Sequence, residues 1–202
     1  MDKIKIKIII GSTRPNRFSE KPAHWIFGEL KKKEGIETEI LDLREYPMPF
    51  FDSITPPIMA NGEYENTIVQ NWAKKIKDGD AIIIVTPEYN HGYPAVLKNA
   101  LDVIFIEWNK KAVGFVSYGG VGGARVVEQL REVVIELQMI PIRNAINIPV
   151  EVFMRAMKEN IPVNPEIFEP VRHGFMGDCV EAFFDELIWI AKALKTARES
   201  NN

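Results

Sequence analysis

Five short apolar runs, separated by segments of helical period, constrain the fold more than any other feature of the chain. They are IKIKIII (residues 4 to 10), ETEILDL (37 to 43), AIIIVT (81 to 86), AVGFVSY (112 to 118) and IPIRNAINI (140 to 148). Their β-branched content and turn-forming flanks predict strands. The stretches between them, AHWIFGELKKK, NTIVQNWAKKIK, AVLKNALDVIF and ARVVEQLREVVIELQ, repeat apolar residues every three or four positions, as helices lying on a sheet do. Strict alternation of strand and helix requires parallel pairing, and right-handed crossovers distribute the helices over both faces. The expectation is an α/β three-layer sandwich around a five-stranded parallel sheet, closed by a final helix over residues 178 to 200.

Two stretches break the alternation. Residues 43 to 65 and 149 to 178 are rich in proline and aromatic residues and read as long functional or interface loops within one domain spanning 1 to 202. The helix expected from Pro94 to about Glu107 runs into Val103, Ile104, Phe105, Ile106 and Trp108, more apolar surface than one core-facing stripe needs. Part of that surface is expected to meet a second subunit. In the 43 to 65 loop, Tyr46, Pro47, Met48, Pro49, Phe50 and Phe51 are open to three readings, a contact with a partner chain, a lid over the site, or a simple core or surface loop.

A formal charge of -3 and 26% charged residues give no basic surplus, which argues against a nucleic-acid partner. No apolar run reaches the length of a membrane span, and MDKIKIKIIIGS lacks the layout of a secretory leader, so a cytoplasmic, soluble protein is expected. The single cysteine, Cys179, excludes an internal disulfide and is expected as a buried, inert thiol. His24, His91 and His173 are scattered, so no metal site is expected.

In an open parallel sheet, ligands bind beyond the carboxyl ends of the strands, which directs attention to three loops. The first, GSTRPNRFS (11 to 19), joins a strand to a helix start and offers backbone amides, hydroxyls and two arginines to an anion such as phosphate. It matches neither a P-loop, because position 16 is Asn, nor a dinucleotide fingerprint. The second, TPEYNHGYP (86 to 94), is stiffened by Pro87 and Pro94 and carries Glu88, Tyr89, Asn90 and His91, a rigid polar and aromatic surface suited to a flat heteroaromatic ring. The third, SYGGVGGAR (117 to 125), lets backbone approach a ligand closely. Each loop alone is equally compatible with a structural turn; three on one edge favour one composite site.

Together these motifs resemble those of the NADPH-dependent FMN reductases, most specifically in PEYN and its following helix, over roughly residues 4 to 148. The resemblance implies a flavodoxin-like fold, FMN as cofactor and NADPH or NADH as co-substrate. It implies that Ser12, Arg14, Arg17 and Ser19, with Phe18 alongside, hold the FMN phosphate. It further implies that Pro87, Glu88, Tyr89, Asn90 and His91 line the ribityl chain and the isoalloxazine, while Ser117, Tyr118, Gly119 and Gly120 border the far side of the ring. Family members often carry Gly or Ser where Asn16 and Phe18 stand. Relatives commonly form homodimers or homotetramers.

With flavin N5 carrying the chemistry, no catalytic side chain is required. Backbone amides near Gly119 and Gly120 are expected to stabilise charge at N1 and O2. The acceptors implied are small molecules: quinones, azo compounds, free flavin or metal ions. The rival reading is a flavodoxin-like FMN carrier that oxidises NAD(P)H poorly; a serine hydrolase at Ser12 or Ser117 lacks its Gly-x-Ser-x-Gly setting. Arg14, Arg17 and Arg125 are candidate sources of positive charge for a 2′-phosphate.

Overall fold

The computed structural model describes residues 3–161, 164–174 and 177–200. Its main sheet is parallel and five-stranded, built from β1 (Ile4–Ile10), β2 (Ile36–Asp42), β3 (Ala81–Pro87), β4 (Ala112–Tyr118) and β5 (Ile140–Ile148) in the order β2-β1-β3-β4-β5. This is the flavodoxin-like doubly wound order, with its switch point between β1 and β3. β3 and β4 are buried along their whole length, as their unbroken apolar sequences require.

Helices cover both faces. α1 (Glu20–Leu30) and α7 (Cys179–Ser200) pack on one, where Trp25, Ile26, Phe183 and Leu187 join Ile8, Ile83 and Val116. α2 (Thr67–Asp78), α3 (Ala95–Asp102) and α4 (Ala124–Glu136) cover the other, where Trp72, Leu101 and Leu130 join Ile84 and Phe115. Local chemistry sets these helices: the Asn66 side chain caps α2 by accepting from the amides of Ile68 and Val69. Gly114 lets α7 lie close, because a Cβ there would stand 2.5 Å from Phe183 Cζ.

Three strands match the sequence expectation residue for residue; β2 starts and ends one position early and β3 extends to Pro87. The helix expected from Pro94 to Glu107 is shorter. α3 stops at Asp102, and turns carry the chain onward. Val103, Ile104 and Trp108, carried by those turns, all enter the chain's own core. The Trp108 indole donates to Leu101 O at 3.2 Å, and the Asn109 amide group donates to Phe105 O and Leu137 O. Of the large apolar residues of that segment, on which a subunit contact is expected, only Ile106 is exposed and Phe105 is half-buried.

Residues 149 to 178 are not an open loop either. They hold α5 (Val150–Ala156), α6 (Glu169–Arg172) and the antiparallel pair β6 (His173–Gly174) and β7 (Gly177–Asp178). Phe168 is fully buried and stacks on Trp25 at 4.5 Å, sealing the outer side of α1. Cys179, expected buried, is exposed at the first position of α7. Residues 43 to 65 do remain largely irregular, with Phe50, Ile54 and Met59 exposed. No described helix is long and apolar enough to cross a membrane.

Candidate functional site

The chain leaves β1 at the switch point through Gly11, whose amide donates to Val85 O of β3 at 2.8 Å. A Cβ at Gly11 would stand 3.0 Å from that oxygen and 3.1 Å from Leu97 Cδ2, so only glycine allows so close a passage between β3 and α3. The loop that follows is shaped from beneath. Arg17 is buried and grips both carboxylate oxygens of Asp42, the last residue of β2, while its Nε donates to Glu20 at 2.8 Å and Nη1 to Ser12 O. Burial disfavours the Asp42 anion, but the hydrogen bonds from Arg17 and the Arg44 amide outweigh it and hold the carboxyl below its usual range. Arg44 adds donors to Glu20 at 2.9 Å and to the carbonyls of Thr13 and Arg14.

Three guanidiniums and two carboxylates meet here, and one guanidinium is left over. Arg14 is exposed and its side chain has no partner among the described residues. The same loop leads into α1, which begins without a side-chain cap: the hydroxyl of its N-cap Ser19 is engaged with Tyr118 Oη at 2.7 Å, the Lys21 amide donates to Phe18 O at 2.9 Å, and Pro22 has no amide hydrogen. The unbonded amides of Ser19 and Glu20 and the unpaired Arg14 thus belong to one loop and the helix start it leads into.

The loop after β3 turns back on itself. Tyr89 and Gly92 exchange two backbone hydrogen bonds of 2.9 Å, and Asn90 and His91 between them both have positive φ, 51° and 70°, the geometry of a type I′ turn. Asn tolerates that region best among non-glycine residues. Tyr89 Oη and Ser12 Oγ lie 3.1 Å apart, tying this loop to the first. Glu88 instead faces the third loop, where its nearly buried carboxylate accepts from the Arg125 amide at 3.2 Å and guanidinium at 2.9 Å.

That third loop is held by Ser117 Oγ, which donates to Gly122 O at 2.9 Å and accepts from Asn147 Nδ2 at 2.8 Å. Gly123, the N-cap of α4, has φ 75°, and a Cβ there would approach Ser117 Cβ to 2.7 Å. Gly120 is exposed, and a Cβ on it would meet nothing within 4 Å. Tyr118 is buried, and burial pushes its hydroxyl well above the usual phenol range.

The structure thus brings all three loops to one edge but sorts their residues. Phe18 is core, only 2% exposed and edge-on to Tyr118 and Phe153 at 4.7 and 4.8 Å. Arg17 has its donors filled by protein, Glu88 and Arg125 fill each other, and Ser19 and Ser117 are wholly buried, so these residues build the loops. Arg14, Tyr89, Asn90, His91 and Gly120 stay exposed. Asp42, Arg44, Gln129 and Asn147 went unnoticed in the sequence; only the strand order, which sets β2 beside β1 and β5 beside β4, could have pointed to Asp42 and Asn147.

Two hollows lie nearby. One of about 310 Å³ opens between Thr13, Arg44, Met48, Val96 and Asn99, next to the first loop. The larger, about 640 Å³, lies under residues 49 to 66 and touches none of the three loops. Among the described residues no cluster of three or more His, Cys, Asp or Glu is arranged to hold a metal.

The model of the NADPH-dependent FMN reductase family matches residues 4–151. An NAD(P)H-dependent FMN reductase of Schizosaccharomyces pombe is 39% identical over 148 residues, 72% of this chain and 74% of that one. An NAD(P)H:quinone oxidoreductase of Solanum tuberosum is 33% identical over 129 residues, 62% of this chain and 61% of that one. Among solved structures, the apo form of an NADH:FMN oxidoreductase superposes with a TM-score of 0.63 at 16% identity, covering 90% of this chain and 88% of that one.

Proposed function

Because the chain belongs to the NADPH-dependent FMN reductase family, we propose that it is an FMN-dependent NAD(P)H:acceptor oxidoreductase. One observation carries the placement of the cofactor: Arg14, the single unpaired guanidinium of the first loop, lies in the segment that leads into the uncapped start of α1. A phosphate monoester fits this donor set, since it accepts several hydrogen bonds and carries the charge that both features favour. Arg14 and the amides around Ser12 and Ser19 hold the phosphate in this reading, and Arg17 with Asp42 holds the loop.

The turn from Pro87 to His91 lines the ribityl chain and one side of the ring, and Gly119 and Gly120 border the other. Gly120, with open space where a side chain would be, leaves room for a flat ligand against backbone. Bound FMN supplies the two-electron chemistry between NAD(P)H and acceptor, and the chain binds, orients and shields. The acceptors are small molecules: quinones, azo compounds, free flavin or metal ions. The whole chain forms one such domain, working in the cytoplasm. We also propose a homodimer or homotetramer, for which the exposed Phe50, Ile54 and Met59 on the 43 to 65 segment provide the apolar surface.

The purified protein is expected to be yellow, or to turn yellow and gain thermal stability with FMN, and to bleach rapidly on anaerobic titration with NADPH or NADH. A protein that neither binds nor is stabilised by FMN would sink the proposal, and binding without rapid bleaching would favour an electron carrier. Light scattering at micromolar concentration reads the assembly; a monomer contradicts the apolar interface.

A further inference from the structure

Glu88 is an unusual residue to find wedged between the two loops that the proposed function places around the flavin ring. Its side chain is only 6% exposed, and its backbone is fixed by donation from its amide to Tyr118 O at 2.9 Å. Gly119 lies against it so closely that a Cβ there would be 3.0 Å from Glu88 Cβ. Arg125 answers the carboxylate twice, through its amide in the first turn of α4 and through its guanidinium. One turn further along the same face, Gln129 Nε2 donates to His91 O at 3.0 Å. α4 thus grips the β3 loop at Glu88 and His91.

A buried carboxylate at this place has an electrostatic consequence. Taking up two electrons and one proton leaves the ring with one additional negative charge, which an uncompensated neighbouring anion would disfavour. The start of α4 and the Arg125 guanidinium both lie on Glu88 and offset its charge. We infer that Glu88 and Arg125 are a charge-compensating positioning pair that sets how tightly reduced FMN is held relative to oxidised FMN. The inference rests on the placement of the ring between these two loops.

The test compares Glu88→Gln, Arg125→Gln and the double variant, titrating each apoprotein with oxidised and with anaerobically reduced FMN and recording its thermal midpoint. Arg125→Gln leaves the carboxylate only the start of α4 to offset its charge and lowers the preference for reduced FMN by on the order of tenfold, a potential about 30 mV more negative for a two-electron couple. Glu88→Gln moves the preference the opposite way by a similar factor, and the double variant returns close to the parent protein. Arg125→Lys, which keeps the charge, stays near the parent value even where it loosens the loop. Shifts of the same sign in both single variants would mark a merely structural clamp and overturn the inference, as would unchanged preferences with oxidised FMN still bound. Failure of the unmodified protein to bind FMN overturns the underlying reading and this inference with it.

Discussion

At the carboxyl edge of the sheet, α1 begins with Ser19, whose hydroxyl is drawn away to Tyr118, whereas α4 begins with Gly123 and receives the carboxylate of Glu88 from another loop. Both helix starts present orphan amides and the positive end of a dipole, so each favours an anion. The chain fills one from within and leaves the other open, and the arginines follow suit. Arg125 is matched by Glu88, while Arg14 is the one guanidinium of its loop with no carboxylate. This contrast is what places the external anion at α1 in the proposed function.

Reversing the charge at the open end tests this contrast most severely. Arg14→Glu removes the charge-assisted hydrogen bonds to phosphate and sets an anion in their place. A loss of about 3 kcal/mol is expected, roughly a hundredfold in the dissociation constant for FMN. The thermal midpoint of the apoprotein should not move, because the Arg14 side chain holds nothing in the fold. FMN titrated by fluorescence quenching reads the first effect, and an affinity within a few-fold of the parent would place the phosphate elsewhere.

The two starts also differ in how strictly their backbone dictates the residue. Gly123 combines φ 75° with a Cβ position 2.7 Å from Ser117, so Gly123→Ala is expected to cost about 2 kcal/mol in a urea denaturation midpoint. Ser19 has ordinary helical angles, φ −49° and ψ −30°, and Ser19→Ala loses only its bond to Tyr118, about 1 kcal/mol. Equal costs would mean that the glycine turn at α4 is no more constrained than the turn at α1.

The same contrast explains what the sequence could disclose. The sheet was legible because β3 and β4 are buried on both faces and write that burial as unbroken apolar runs. The three loops were legible because strand ends on a parallel sheet converge. The division of labour within them was not. Arg14 and Arg17 look alike in GSTRPNRFS, and what separates them is Asp42, carried by a strand that becomes a neighbour only once the order β2-β1-β3 is known. Glu88 and Arg125 are likewise joined only by the pairing of β3 with β4. The helix overrun beyond Asp102 has a different cause: Val103, Ile104 and Trp108 carry a helix-compatible pattern and are buried as that pattern requires, but in turns, so periodicity alone did not mark the end of the helix.

At the opposite edge of the sheet the polarity of the arrangement inverts, and its predicted effect is the smallest. The carboxyl end of α2 receives a cation, the buried Lys111 ammonium, which donates to the carbonyls of Ile76 and Lys77. Burial, with a smaller push from Arg198, lowers the Lys111 pKa to about 7. For a base whose pKa falls on folding, the cost of the buried charge is fully present below the folded value and is relieved as pH rises from about 7 toward the unfolded value of 10.5. Replacing the ammonium with an apolar chain of similar length removes that cost. Lys111→Met should therefore be more stable than the parent by about 1 kcal/mol at pH 6, with the difference shrinking by pH 9, where the parent amine is neutral and still donates to the two carbonyls. Urea midpoints at the two pH values decide it. A difference that stays constant, or grows with pH, would mean that Lys111 remains charged in the folded protein and serves α2 as a cap at no electrostatic cost.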